Sequence, residues 1–165
     1  MKTILKRIAS VLIALIAIAG IVVAIEYFGG QPMGLFRGSP PANLGFNAGK
    51  FAPPDGKPNC VSSTAEKSDQ QHYIAPLSYT GASVDAWSRL LGIVKGTPRV
   101  AVITTNGSYI YAEFKSAGMG YVDDVEFALD EKTGVIQVRS ASRLGIRDFD
   151  VNRNRVEAIR AQFGK

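Results

Sequence analysis

The apolar residues form one long uninterrupted run near the N-terminus, followed by shorter runs with helical or strand spacing. Residues 8–25 are eighteen positions without a charge. As a helix they would span roughly 27 Å, close to the hydrocarbon thickness of a bilayer. Lys2, Lys6 and Arg7 precede this run, and Glu26 follows it. The positive-inside rule therefore predicts a single-pass anchor in the cell inner membrane, with the N-terminus cytoplasmic and the domain periplasmic.

A cleaved signal peptide is the alternative for the same segment. Small residues ending at Ala19 or at Ala24 offer two cleavage patterns. The first is followed by more apolar sequence, and the second requires an unusually long apolar core. The length of the run therefore favours an uncleaved anchor over a secreted product. Export is common to both hypotheses.

Residues 29–58 are rich in glycine, proline and asparagine and show no helical or strand period. Such a composition resists regular structure, so we expect a tether that lifts the domain off the bilayer. Scattered apolar residues suggest that parts of the tether lie on the domain: Leu35, Phe36, Leu44, Phe46 and Phe51. The predicted organisation is an anchor over 1–28, the tether over 29–58 and one extracytoplasmic domain over 59–165.

Two amphipathic helices enclose the β-rich part of the domain. Apolar residues at helical spacing predict a helix over 83–95, with Ser83 as its N-cap, and another over 151–163. Two hairpins lie between them, so the element order is α-ββ-ββ-α. This order predicts an α+β fold: a four-stranded antiparallel sheet with two helices packed on one face, preceded by one transmembrane helix.

The first hairpin is predicted from Asn106-Gly107, the dipeptide most typical of a two-residue β-turn. Such a turn would pair the runs 99–105 and 108–115 and place Ile103 opposite Ile110. The second hairpin joins about 121–130 to 135–143 through a four-residue loop.

The second hairpin carries charged residues on one face. Alternation and a four-residue loop place Glu126 opposite Arg139, with Asp124 diagonal to Arg139 and Arg143. These residues could bind an anion or another polar ligand. Alternatively they form cross-strand ion pairs on a solvent-exposed face, each contributing about 0.2–1 kcal/mol. Alternating charge on an exposed strand face is common, which favours the ion pairs.

The net charge of +5 first suggests a nucleic-acid binder. The three cations before the apolar run supply three of these five charges and leave +2 for the rest of the chain. No run of Lys and Arg interleaved with aromatic residues occurs there. The sequence therefore predicts no nucleic-acid partner.

Cys60 and His72 are the only cysteine and the only histidine. A nucleophilic pair would need both side chains within hydrogen-bond reach, and no local motif marks such a pair. The more ordinary interpretation is a packed cysteine and a hydrogen-bonding histidine. Zinc is not expected, because His-x-x-x-His and Cys-x-x-Cys spacings are missing, and no metal or cofactor is predicted.

Four ordered motifs resemble those of the domain-of-unknown-function 1499 family: Pro58-Asn59-Cys60-Val61-Ser62-Ser63, Tyr121 to Phe127, Val138 to Gly145, and Asp148 to Arg155. The resemblance covers about 44–163. It implies a domain found in bacteria and in plastid-bearing organisms, often with membrane segments, and no established reaction. Many relatives carry another cysteine before the Pro-Asn-Cys motif, where this chain has Pro53-Pro54-Asp55.

The resemblance also implies that eight polar residues belong to one shared feature: Asp124, Glu126, Arg139, Ser140, Arg143, Asp148, Asn152 and Arg153. Five arginines of this region could converge on an anionic group: Arg139, Arg143, Arg147, Arg153 and Arg155. Alternatively, neighbouring carboxylates neutralise them within the domain.

Together these features predict a membrane-tethered, non-enzymatic binding or accessory module in envelope or membrane-complex maintenance. The expected partners are the membrane itself through residues 8–25, and an anionic lipid, a polysaccharide or a membrane protein. The alternative function is a small hydrolase or transferase that uses Cys60 and His72, with Asp124 or Glu126.

Overall fold

The computed structural model describes residues 2–28 and 36–165. Its first element is helix α1 (Lys2–Phe28). Within it, Lys6–Ala24 is apolar and long enough to cross a membrane or to act as a signal sequence, and none of this stretch is buried. The expected N-terminal apolar helix is therefore present.

One antiparallel sheet of six strands forms the centre of the domain: β1 (Cys60–Ser62), β2 (Leu77–Ser78), β3 (Val100–Thr105), β4 (Tyr109–Lys115), β5 (Val122–Asp130) and β6 (Val135–Ser142). The strand order is β1-β6-β5-β4-β3, and β2 also pairs with β6. The α+β class is confirmed, but the expected count of four strands is wrong. Strands β1 and β2 have three and two residues, too few to show a period of two.

Helices α2 (Ser83–Gly96) and α3 (Val151–Phe163) pack on one face of this sheet. The core contains Leu90 and Val94 from α2, Val156 and Phe163 from α3, and residues of the sheet such as Phe127. All five side chains are at most 2% exposed. Both helices lie close to their predicted bounds.

Two local predictions are wrong. Ala82, not Ser83, is the N-cap of α2, and Ser83 Oγ instead donates to Glu131. In the first hairpin, Ile110 pairs with Thr105, because the turn is longer than two residues and the Asn106 amide donates to the Tyr109 carbonyl. Ile103 lies in a β-bulge between Val102 and Thr104 and is 51% exposed.

The second hairpin has the predicted register. Asp130 pairs with Val135, and Glu126 pairs with Arg139. The apolar side of β5 faces the helices, so the charged side faces away from them.

Residues 36–58, the covering segment, run across this charged side of the sheet. The Gly45 amide donates to Glu126 Oε1 at 2.6 Å, and Arg37 donates to Glu113. Phe51 is only 4% exposed. The described part of the predicted tether thus forms a third layer over the sheet, whereas its residues 29–35 lie outside the described residues.

Candidate functional site

A cluster of ionised side chains lies between the sheet and the covering segment. Arg143 is at its centre: its Nε donates to both oxygens of Asp124 at 3.0 Å, and its Nη2 donates to Glu113 Oε1 at 2.6 Å. Beside it, Arg139 Nη1 donates to Glu126 Oε2 at 3.0 Å. These five residues are the buried ion-pair cluster.

The cluster is almost completely removed from solvent. Glu126 is 0%, Asp124 1% and Glu113 4% exposed, and the Arg143 side chain is 1% exposed. The expectation of a solvent-exposed sheet face is therefore wrong, because the covering segment lies over it. Charges at such a depth must be paired and hydrogen-bonded, since an unpaired ion there costs several kcal/mol.

Two tyrosines of β4 complete the hydrogen bonding of the carboxylates. Tyr111 donates its hydroxyl to Asp124 at 2.6 Å, and Tyr109 donates to Glu126 at 2.7 Å. Burial, and then the hydrogen bond to a carboxylate, raises the pKa of both phenols, so they remain donors. The sequence contained a sign of this role, because Tyr109, Tyr111 and Glu113 alternate along β4 toward the charged face.

A cavity of about 210 Å³, called the arginine cavity below, lies within the same layer. Asp124, Arg139, Ala141 and Arg143 line it from the sheet, and Asn43 and Asp55 line it from the covering segment. Arg139 Nε and Arg143 Nη1 are buried and have no hydrogen-bond partner within the described part of the chain. Buried donors are rarely left unsatisfied, so these two N–H groups mark a place for acceptor atoms.

A second polar cluster lies on the helix side of the sheet, around Asn152, which is 0% exposed. Asn152 Nδ2 donates to the Asn59 carbonyl, to Ser142 Oγ and to Asp148 Oδ2. Its Oδ1 accepts from Ser140 Oγ at 2.6 Å. This Asn152 junction ties the start of α3 to β6 and to the residue before β1.

The eight residues of the predicted shared feature therefore occupy three places. Four belong to the buried ion-pair cluster: Asp124, Glu126, Arg139 and Arg143. Three belong to the Asn152 junction on the other face: Ser140, Asp148 and Asn152. Arg153 belongs to neither cluster, because its guanidinium donates to the carbonyl oxygens of Gln70, Gln71 and Tyr73.

The five arginines do not converge on one point. Arg139 and Arg143 line the same cavity. Arg155 donates to Asp123 on the helix side, and Arg147 is exposed in the loop after β6. The carboxylates of the domain neutralise three of them: Arg139, Arg143 and Arg155.

Cys60 is buried at 5% exposure, and its thiol contacts the carbonyl of Val61. Burial raises the pKa of this thiol from 9.0 to about 11. The Arg139 guanidinium acts in the opposite direction but is outweighed. Since the thiolate is the nucleophile, Cys60 is not activated in this structure.

His72 is also buried, and both ring nitrogens have partners. Nδ1 lies 2.7 Å from Asp69 Oδ2, and Nε2 lies 3.0 Å from the Lys57 carbonyl. The hydrogen bond from His72 lowers the pKa of the Asp69 carboxyl. No hydrogen bond joins His72 to Cys60 among these described contacts, so the imidazole holds the chain segments around residues 57 and 69.

Alkylation of Cys60 tests its ionisation. In the folded chain we expect the iodoacetamide rate to rise about tenfold per pH unit from 7 to 9.5, because the thiol pKa is about 11. In guanidinium the rate should level off near the ordinary pKa of 9.0. A folded-state rate that levels off below pH 9 would reveal an activated thiolate and would favour the hydrolase alternative.

The comparison with protein families concerns the part of the chain that carries both polar clusters. A family model described as a protein of unknown function, DUF1499, matches residues 50–163. The match includes β1 to β6, α2, α3 and both polar clusters. The chain belongs to the DUF1499 family. No curated protein matches the chain.

The DUF1499 match begins inside the covering segment. Residues 50–58 of that segment lie within it, whereas residues 36–49 precede it. The motif around Asn59 and Cys60 contacts both clusters, because Asn59 binds Asn152 and Cys60 lines the arginine cavity. In this DUF1499 domain the family motifs therefore meet along β1 and β6, between the two polar clusters.

Proposed function

We propose that this DUF1499 protein is a membrane-tethered binding module. Its domain lies on the periplasmic side of the cell inner membrane and binds a polar ligand in the arginine cavity, without a chemical reaction. The observation that carries the proposal is that Arg139 and Arg143 line one cavity and that each has a buried N–H group, Nε and Nη1 respectively, without a partner among the described residues. A ligand with acceptor oxygens would satisfy both.

The charges around the cavity favour a neutral ligand. Three carboxylates of the sheet face are matched by three guanidinium groups: Glu113, Asp124 and Glu126 by Arg37, Arg139 and Arg143. An added anion would leave a buried negative charge without a partner, which is costly. The hydroxyls of a saccharide accept hydrogen bonds from arginine and also donate to carboxylates. A sugar unit of an envelope polysaccharide therefore fits better than an anionic lipid head group.

The geometry supports binding over hydrolysis or group transfer. A nucleophile needs a base within hydrogen-bond reach, and His72 is engaged by Asp69 and Lys57. The Cys60 thiol is protonated at neutral pH, and burial raises its pKa further above the ordinary value of 9.0. Neither Asp124 nor Glu126 is free to act as a base, because each is held by an arginine and a tyrosine.

Ligand binding is tested on the full chain in detergent by saturation-transfer NMR with glucose, N-acetylglucosamine and glucuronate as probes. Inorganic phosphate has no non-exchangeable protons, so its binding is followed by the broadening of its 31P line. We expect saturation transfer to at least one neutral sugar. Ala141→Leu should abolish it, because the larger side chain takes up space in the cavity while every charged side chain is retained. Ala158→Leu makes the same change on the exposed side of α3 and should bind as the wild type does.

Two results would contradict this proposal. If phosphate binds and no sugar binds, the ligand is an anion, and the inference from the charges around the cavity is wrong. If no probe binds, or if Ala141→Leu binds as well as Ala158→Leu does, the cavity is not the site. The buried ion-pair cluster then has only a structural role.

The tether is tested by expression in a Gram-negative host with a C-terminal tag. We expect the full-length chain in the inner membrane, resistant to alkaline extraction, with the tag digested by protease only after the outer membrane is opened. Residues 8–25 hold it there. A soluble product whose N-terminus follows Ala19 or Ala24 would show that α1 is a signal peptide.

A further inference from the structure

The loop between β6 and α3 exposes large apolar side chains. Ile146 is 73% and Phe149 81% exposed, with Leu144 at 41%. Met119 at 47% and Tyr121 at 37% are exposed on the turn between β4 and β5. These five side chains are the apolar patch. Isolated exposed apolar residues are ordinary, but a contiguous group marks a contact surface.

Two residues of the apolar patch, Tyr121 and Leu144, lie beside the point at which the chain enters the domain from α1. The ring of Phe36 lies 5.1 Å from that of Tyr121. A Cβ placed on Gly38 would lie 3.2 Å from Leu144 Cγ, so this glycine passes directly over the loop. The turn and the loop therefore flank residues 36–38.

The distance from α1 to this entry point is limited by chain length. Eight Cα–Cα steps connect Phe28 to Phe36, which is at most about 28 Å when fully extended. If α1 spans a bilayer, Phe36 must remain within that distance of the end of α1, and Tyr121 and Leu144 of the apolar patch lie beside this entry point. A lipid surface is therefore close to the patch.

The backbone holds Phe149 outward in an unfavourable conformation. Phe149 and Asp150 have φ values of 54° and 64°, the left-handed region that non-glycine residues disfavour. Asp148 fixes this turn, because its carboxylate accepts hydrogen bonds from the amides of Asp150 and Asn152. The exposure of Phe149 is therefore built into the start of α3.

We propose that the apolar patch docks the domain onto the same membrane that holds α1. This inference rests on the proposed membrane tether. Ile146 and Phe149 enter the interfacial layer, as large apolar side chains of peripheral proteins do. Arg147, exposed between them, reaches lipid phosphates while its stem remains in the apolar layer. Asp150 lies on the other side of Phe149, so docking relies mainly on apolar contact rather than on charge.

Spin labelling of the full chain in nanodiscs tests the docking. Three variants each add one cysteine for labelling: Phe149→Cys, Val84→Cys and Ile13→Cys. The collision rate of each label is measured with oxygen, which concentrates in lipid, and with an aqueous nickel chelate. The native Cys60 is 5% exposed, so the wild-type chain serves as the unlabelled blank. Discs of phosphatidylcholine alone and with phosphatidylglycerol are compared.

Val84 is the matched control for Phe149. It is 70% exposed, and the neighbouring Ser83 bonds to Glu131 in the turn between β5 and β6. That turn lies at the opposite end of β6 from the loop that carries Phe149. A docked domain therefore places position 149 in lipid and position 84 in water.

We expect the oxygen-to-nickel collision ratio at position 149 to exceed that at position 84 severalfold in both kinds of disc. Equal ratios would overturn the docking, and so would shielding of position 149 from both reagents, which would indicate a protein partner. Position 13 reports on α1 independently. A label there that is embedded in lipid, with position 149 in water, overturns the docking alone. An aqueous label at position 13 overturns the tether and the docking with it.

Discussion

Replacing Arg143 by alanine is expected to lower the free energy of unfolding by about 3–5 kcal/mol. The side chain is 1% exposed and binds Asp124, Glu113 and the Tyr111 hydroxyl. Its removal leaves two carboxylates buried without their main cationic partner, and the cost of those charges exceeds the value of the contacts themselves. Urea denaturation at pH 7, followed by circular dichroism, measures the change. The free energy of unfolding of Arg143→Lys should lie between those of the wild type and Arg143→Ala, because an ammonium keeps the charge but cannot make the forked contact.

Lys57→Ala is the matched control. The Lys57–Asp55 pair is 2.6 Å long, but both side chains are about half exposed, so its loss should cost less than about 1 kcal/mol. A loss at Arg143 as small as that at Lys57 would contradict the interpretation of a tightly paired buried cluster.

The cost of Arg143→Ala should shrink in acid. Burial raises the pKa of Glu113, but the hydrogen bonds and charges of Arg143 and Arg37 outweigh it, and the net pKa lies below 4.5. A carboxyl with a lowered pKa stabilises the fold above its unfolded pKa, and this contribution is lost as the pH falls through the folded pKa. The wild type therefore loses this contribution below about pH 4.5, whereas the variant lacks it already. A difference that grows on acidification would contradict this assignment.

Asn152→Ala is expected to cost about 2–4 kcal/mol. The amide is fully buried and connects α3 to β6 through Ser140 and Ser142, and to the chain before β1 through the Asn59 carbonyl. Alanine has no amide group, so several buried polar groups lose a hydrogen-bond partner. The loss should appear as a lower urea midpoint with an unchanged m value.

Asn154→Ala is the control on the same helix. Its side chain is exposed, so the substitution should change the free energy of unfolding by less than about 0.5 kcal/mol. Similar effects at positions 152 and 154 would show that helix propensity, and not the Asn152 junction, determines the result.

The sequence could predict the elements in which apolar and polar residues alternate with a regular period. The central part of the hairpin of β5 and β6 alternates apolar and charged residues, so a register shift would bury charges among apolar residues, and the Glu126–Arg139 pairing followed. Strands β1 and β2 are too short to show a period. The β-bulge at Ile103 is likewise not indicated by any residue type in the sequence.

The site was predicted only in part because its decisive contacts are long-range. The pairing of Glu126 with Arg139 was predicted from the alternation of residues along the two strands, but the burial of this pair depends on the covering segment. Gly45 contacts Glu126 through a backbone amide, which is the same in every non-proline residue and leaves no mark in a hydropathy pattern. The cavity depends on this third layer, and so does the burial of the two N–H groups that have no partner among the described residues. Neither could be predicted without that layer.

The measurement that tests the binding module most directly is the NMR signal of the Arg139 side-chain Nε–H group in the full chain, assigned by its loss in Arg139→Lys. This group is buried and unpartnered within the described residues. We predict that its resonance shifts and exchanges more slowly with solvent when a neutral sugar probe is added, and that Ala141→Leu abolishes both changes. A resonance that no probe moves, and that shows contact only with water, would contradict the account.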